Sequence, residues 1–187
     1  MSSAAVPVPS VCEFTTLPLF SASSVSNSKF SLSLRAFKSV LSVLVEPAIY
    51  NAHVMLPTAA TPLHENIADS TRLFPFFKDV VGAIDGSHVP VSAPESIRDR
   101  FWNRKGFTSV NVLAACDFDM CFIYVLSGWE GSVSDSFLWG KALEGGLQLP
   151  NGKQLLADAG FGFSSRLLIP YRRVRYHLKE YGTGTRR

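Results

Sequence analysis

The stretch TSVNVLAACDFDMCFIYVLSGW, residues 108–129, constrains the fold most strongly. Two runs rich in Val, Ile, Leu and aromatic residues flank DFDM, where Asp117 and Asp119 are natural turn residues. Strand-forming runs on either side of so short a turn make an antiparallel hairpin. Upstream, LFPFFKDVVGAIDG leads into a buried strand of Val80, Val81, Ala83 and Ile84, with Asp85 at its end. Between that strand and the hairpin, SAPESIRDRFWNRKGF is a polar connection with room for a helical turn. Downstream, EGSVSDSFLWGKALEGG starts a helix capped by Ser134 or Asp135. It is expected to bury Phe137, Leu138 and Leu143 and to stop at Gly145 and Gly146. Gln154 to Ala157 reads as a further strand ending at Asp158, and RLLIP as a short apolar turn. The order is strand, hairpin, helix, strand, which is a mixed α/β sheet with flanking helices.

The rest of the chain is less regular. Residues 1–30 carry many Ser, Val and Pro and almost no charge, and are expected to be a disordered leader. Leu34, Phe37, Leu41, Leu44 and Val45 recur at helical spacing, which predicts a helix over 33–46 stopped by Pro47. Residues 51–72 read as an irregular connection, and His53 and His64 within it as surface residues. The expected division is thus a leader (1–30), a helix and connection (31–72), one domain (73–180) and a tail (181–187). With 187 residues, one domain is the natural count.

Charge and cysteine content exclude little but point somewhere. The formal net charge is only +3, yet Arg166, Arg172, Arg173, Arg175, Lys179, Arg186 and Arg187 cluster late, opposed by Glu180 alone. Such a run either faces phosphate or is a solvated surface. Three cysteines, Cys12, Cys116 and Cys121, make no disulfide framework and fit a reduced, intracellular chain. Cys116 and Cys121 lie in apolar runs and are expected to be buried. No His and Cys pairs stand at zinc-ligand spacing. No stretch approaches the roughly 20 apolar residues of a membrane span, and the N-terminus is a poor secretory signal.

The candidate chemistry lies in three aspartates. Asp85 in AIDG and Asp158 in LADAG each end an apolar strand and are followed by glycine within two residues. Asp135 stands at a strand-to-helix junction, so three acids can meet at one edge of the sheet. Alone, Asp85 reads equally well as a turn residue, and Asp135 more simply as a helix N-cap. Together they suit a hard divalent cation, which takes carboxylate oxygens and keeps several waters. Apposed carboxylates repel, and a cation relieves that repulsion.

The motifs GAIDGSHVPV, RDRFWNRKGFTSVNVLAACD, YVLSGWEGSVSDS, LLADAGF and IPYRRVRYHLKE run in order from about Phe74 to Glu180. In this series the segment resembles the DDE-type nuclease domain of PIF/Harbinger transposases and their domesticated derivatives. The resemblance implies an RNase H-like fold, with Asp85, Asp135 and Asp158 as ligands of Mg²⁺ or Mn²⁺. It places Arg104 and Lys105 of NRKG near the site, toward DNA phosphate, and it implies DNA as partner, a nuclear location and a separate helix-turn-helix DNA-binding protein. Arg172, Arg173 and Arg175 are further candidates for contact with DNA. His88 and Trp129 belong to the motif neighbourhood and are expected to be structural.

The family's last acid is a glutamate on a helix after the VRYHLKE segment. Here YGTGTRR follows Glu180, so the chain is expected to stop before that helix and to leave one sheet face uncovered. Phe161 stands where the family has tyrosine, and Trp102 interrupts a stretch that is more often basic. Two functions follow: a divalent-metal-dependent DNA endonuclease, active or inactive in this form, or a non-catalytic transposon-derived fragment that binds DNA or protein. A metal-dependent phosphatase fits the acids but not the whole motif series.

Overall fold

A computed structural model describes residues 28–171, with side chains from residue 34 onward. Five strands, β1 (Val80–Pro90), β2 (Ser109–Cys116), β3 (Phe122–Glu130), β4 (Gln154–Leu156) and β5 (Leu167–Leu168), form one sheet in the order β3-β2-β1-β4-β5. β1, β2 and β3 pair antiparallel, whereas β4 runs parallel to both β1 and β5. This is the expected RNase H-like mixed sheet, an antiparallel hairpin joined to parallel strands, with helices beside it. The hairpin turn closes as its residues dictate: the Asp117 carboxylate accepts from the N–H of Asp119 at 3.0 Å and of Cys121 at 2.9 Å.

Among the described residues five α-helices accompany the sheet: α1 (Ser28–Leu44), α2 (Pro47–His53), α3 (Glu65–Ala68), α4 (Arg98–Phe101) and α5 (Asp135–Glu144). Among the described residues α5 is the helix that joins the main core cluster, while α3 and α4 each bury one residue beside it, Ile67 and Phe101. Ile84, Leu113, Ala115, Tyr124, Leu126 and Leu155 meet Leu138, Trp139 and Ala142 of α5 in one buried cluster. The opposite face of the hairpin is less covered, with Val112 and Ala114 half-buried and Phe122 and Val125 exposed.

Several expectations are corrected. α5 buries Leu138, Trp139 and Ala142, while Phe137 and Leu143 are exposed. The helix starts at Asp135, and from there the 3.6-residue period turns those two side chains outward. Pro47 does more than end α1. It opens α2, because a first helical residue needs no N–H. The connection 51–72 is therefore not wholly irregular, and His64 caps α3 by accepting from the Asn66 N–H. RLLIP supplies β5, an edge strand held by parallel pairing to β4. Cys121 is exposed and Cys116 half-buried, since the turn lifts the former off the sheet. The helical face of α1 is real, yet Leu34, Phe37 and Leu44 on it are exposed.

Close approach of β1 to β2 depends on Gly82. A side chain there would come within 3.0 Å of the Cys116 carbonyl, a backbone atom that cannot swing aside. Gly82→Ala is expected to destabilise the chain by about 1–3 kcal/mol, read as a lowered urea midpoint. An unchanged midpoint would show that the two strands can separate locally without loss.

Candidate active site

β1 extends past Asp85 to Pro90, so Asp85 is not at a strand end. Its backbone pairs with Ala114 of β2. What ends near Asp85 is the neighbour on the other side. Parallel pairing of β1 with β4 stops at Ala83 and Leu156, and β4 gives way to the loop carrying Asp158. Asp85 and Asp158 are each two residues beyond that pair. Asp158 opens the short 3-10 turn that follows β4, and its charge acts on Asp85.

Asp135 approaches from the sheet face opposite to Asp85. Ser134 is the N-cap of α5, its hydroxyl accepting from the Phe137 N–H, which releases Asp135 from the capping role. The Asp135 carboxylate lies directly over Gly86, closer than 3.0 Å to where a β-carbon would stand. Gly86 follows Asp85, so its missing side chain would project to the opposite face. A bare strand position is what lets the acid of α5 come this near. The Ser136 hydroxyl donates to the Gly160 carbonyl at 2.6 Å, tying the first turn of α5 to the loop of Asp158.

The three carboxylates share one pattern. Asp85 accepts from the Gly86 N–H at 2.8 Å, Asp158 from the Gly160 N–H at 2.8 Å, and Asp135 from the Asn111 side-chain amide at 3.3 Å. Each does so through Oδ1, and among the described residues no donor meets the Oδ2 of any of them. Electrostatics bind the acids into one group. Partial burial raises the Asp85 carboxyl above its ordinary value of 3.8. The Gly86 N–H opposes this, the charges of Asp158 and Asp135 add to the rise, and the Lys105 charge lowers it.

The NRKG loop thus carries a charge, that of Lys105, which acts on Asp85. The buried Asn103 holds that loop: its Oδ1 accepts from the N–H of Lys105 at 2.9 Å and of Phe107 at 3.3 Å. Its amide donates to the Ser109 hydroxyl at 2.8 Å, which also meets His88 Nδ1 at 3.0 Å. His88 therefore has the structural contact expected of it. Trp129 does too, resting against the core with its ring edge-on to Phe137. Arg104 is exposed. Arg172, Arg173 and Arg175 lie outside the described residues.

Hard oxygen donors with free valences suit Mg²⁺ or Mn²⁺, which is commonly held by one or two carboxylates, waters and substrate oxygens. Asp85 and Asp158 are the carboxylates that could supply such a pair, with Asp135 across the glycine. Among the described residues, no three His, Cys, Asp or Glu side chains stand together as a ready-made metal cluster. Sequence reasoning missed Asn111, Gly86 and Ser136. For Asn111 a signal existed: it is a polar residue in the alternation of Leu113 and Ala115, the buried face of β2.

Residues 84–185 match the family model of the DDE superfamily endonucleases. The HARBI1 proteins of Rattus norvegicus and Mus musculus, named as nucleases, are each 30% identical to this chain over 139 residues, 73% of this chain. The Homo sapiens HARBI1 is 32% identical over 94 residues, 49% of this chain and 27% of its own length. The aligned part spans 39% of the length of the rat and mouse proteins. No solved structure matches the chain significantly. The matched region takes in Asp85, Asp135 and Asp158 together with the strands and helix that carry them, and the chain belongs to the DDE superfamily endonuclease family.

Proposed function

We propose that this chain is a divalent-metal-dependent DNA endonuclease domain, transposase-derived, acting on phosphodiesters in the nucleus. The observation that carries the reading is the mutual repulsion of Asp85 and Asp158, two carboxylates each two residues past the end of the β1–β4 pairing and each with one oxygen unpartnered among the described residues. Asp85, Asp135 and Asp158 would hold Mg²⁺ or Mn²⁺. When bound, such a cation activates water and stabilises charge on the leaving oxygen of a phosphodiester. The chain's own residues orient the reactants. Gly86 and Gly160 fix two carboxylates through their N–H groups, and Lys105, on its Asn103-anchored loop, would draw a DNA phosphate toward Asp85. Arg104, Arg172, Arg173 and Arg175 are the further cationic residues of the sequence that would meet phosphate. Phosphate contacts position a duplex without reading it, so target choice falls on this reading to a separate helix-turn-helix partner.

The test is nicking of supercoiled plasmid by the full chain with Mg²⁺ or Mn²⁺, beside Asp85→Ala. Metal-dependent nicking lost in the variant supports the reading, and no nicking by folded protein sinks it. The second reading, a non-catalytic fragment that binds DNA or protein, gains from that negative result.

Lys105→Ala is expected to weaken DNA binding equally across sequences. The slope of log affinity against log salt should become shallower by about 0.9, the share of one phosphate contact. Fluorescence anisotropy at several salt concentrations measures it, and an unchanged slope would remove Lys105 from the interface.

A further inference from the structure

Asn111 is 1% exposed, on the face of β2 that packs against α5. Its amide nitrogen donates to the Val133 carbonyl at 3.0 Å and to Asp135 Oδ1 at 3.3 Å. Both partners are acceptors, so the amide orientation is fixed: the NH₂ must face them. The Oδ1 atom is then left buried with no hydrogen-bond partner, beside Gly86. Burying an amide oxygen unpaired is unfavourable, and an apolar residue of the same shape would avoid the cost. Neighbouring Leu113 and Ala115 show that the same face accepts apolar side chains.

What an apolar residue cannot do is hold Asp135. The Asp135 carboxylate is held by the Asn111 amide on Oδ1, in the space that the bare Gly86 leaves open. Its Oδ2 is left free. Ligating carboxylates are ordinarily held by such outer hydrogen bonds, which set their direction.

We propose that Asn111 is the positioning residue of Asp135, aiming its free oxygen at the metal. The inference rests on the reading of Asp135 as a ligand. It extends the site inward to a strand residue that touches neither metal nor DNA. Anchoring to the Val133 carbonyl couples the aim of Asp135 to the turn leading into α5.

The experiment is titration of the full chain with Mn²⁺ alone, followed by calorimetry, with urea midpoints on the same samples. Asn111→Leu keeps the branching of the side chain and its number of heavy atoms, and deletes the donor. Mn²⁺ affinity is expected to fall roughly 10–100-fold while the midpoint stays level or rises, a split that a merely structural residue would not give. Asp135→Ala should show a comparable loss, and adding Asn111→Leu to it should cost nothing more, because the two act through one carboxylate. Parental affinity in Asn111→Leu, with Asp135→Ala impaired, overturns the inference and leaves the ligand reading standing. Parental affinity in Asp135→Ala overturns the ligand reading and this inference with it. Should Leu prevent folding, Asn111→Ser takes its place, its hydroxyl too short to reach Asp135. Unfolding of both variants assigns Asn111 to stability alone and overturns the proposal.

Discussion

Asp85→Ala is expected to remove metal-dependent nicking, by on the order of 10³-fold, while the sheet stays folded. Stabilising transition-state charge through a cation is worth several kcal/mol, and each 1.4 kcal/mol is tenfold in rate. Asp85 is exposed and packs against nothing in the core, so deleting it forfeits little burial. Asp85→Asn carries a second, opposite effect on stability. In the metal-free chain, burial first, then Asp158 and Asp135, raise the Asp85 carboxyl in the folded state. A raised carboxyl binds its proton more tightly when folded than when unfolded. Stability therefore falls as pH climbs from the ordinary value of 3.8 through the raised one, and stays at the lower level above it. The neutral amide does not pay this penalty. Urea midpoints of Asp85→Asn should exceed those of the parent at about pH 7, and the gap should close toward about pH 4. A parent that is the more stable at neutral pH would contradict the electrostatic description of the site.

Gly86→Ala should cost activity roughly 10²-fold, since a misplacement of about 1 Å at a reacting site is enough for that. Its effect on stability should be small. The new methyl group would strike the Asp135 carboxylate, the free end of a side chain, which can swing away. A strand alanine also recovers roughly 0.5–1 kcal/mol of backbone entropy relative to glycine. Gly82→Ala is the internal contrast. It meets a backbone carbonyl instead and should lose stability. Plasmid nicking and urea unfolding on both variants would separate the two cases. Full activity in Gly86→Ala would mean that the placement of Asp135 over this glycine does not matter to catalysis.

Much of the fold was legible because the information is local. β2 and β3 are long alternating runs, and Asp117 sits between them with its carboxylate on two backbone N–H groups. The helix at 135–144 was legible as well, from a serine cap and a glycine pair at its ends. Its inward face was not, because a one-residue choice of starting point rotates every side chain by about 100°. β5 was read as a turn because two residues carry no periodicity, and it becomes a strand only through pairing with β4.

The candidate site divides in the same way. The sequence by itself determined which acids stand beside strands and helix, and that glycine follows Asp85. It also determined the family to which the motif series belongs. Only the tertiary structure decided that β1 runs on beyond Asp85, that its pairing with β4 stops two residues short of both Asp85 and Asp158, and that Asp135 comes in from the far side over a glycine. Only there, too, does Asn111 stop being one polar letter in an apolar strand and become the donor that fixes Asp135. The physical reason is that strand register and helix docking are settled by contacts between residues far apart in the chain, and no local pattern encodes the face from which a side chain arrives.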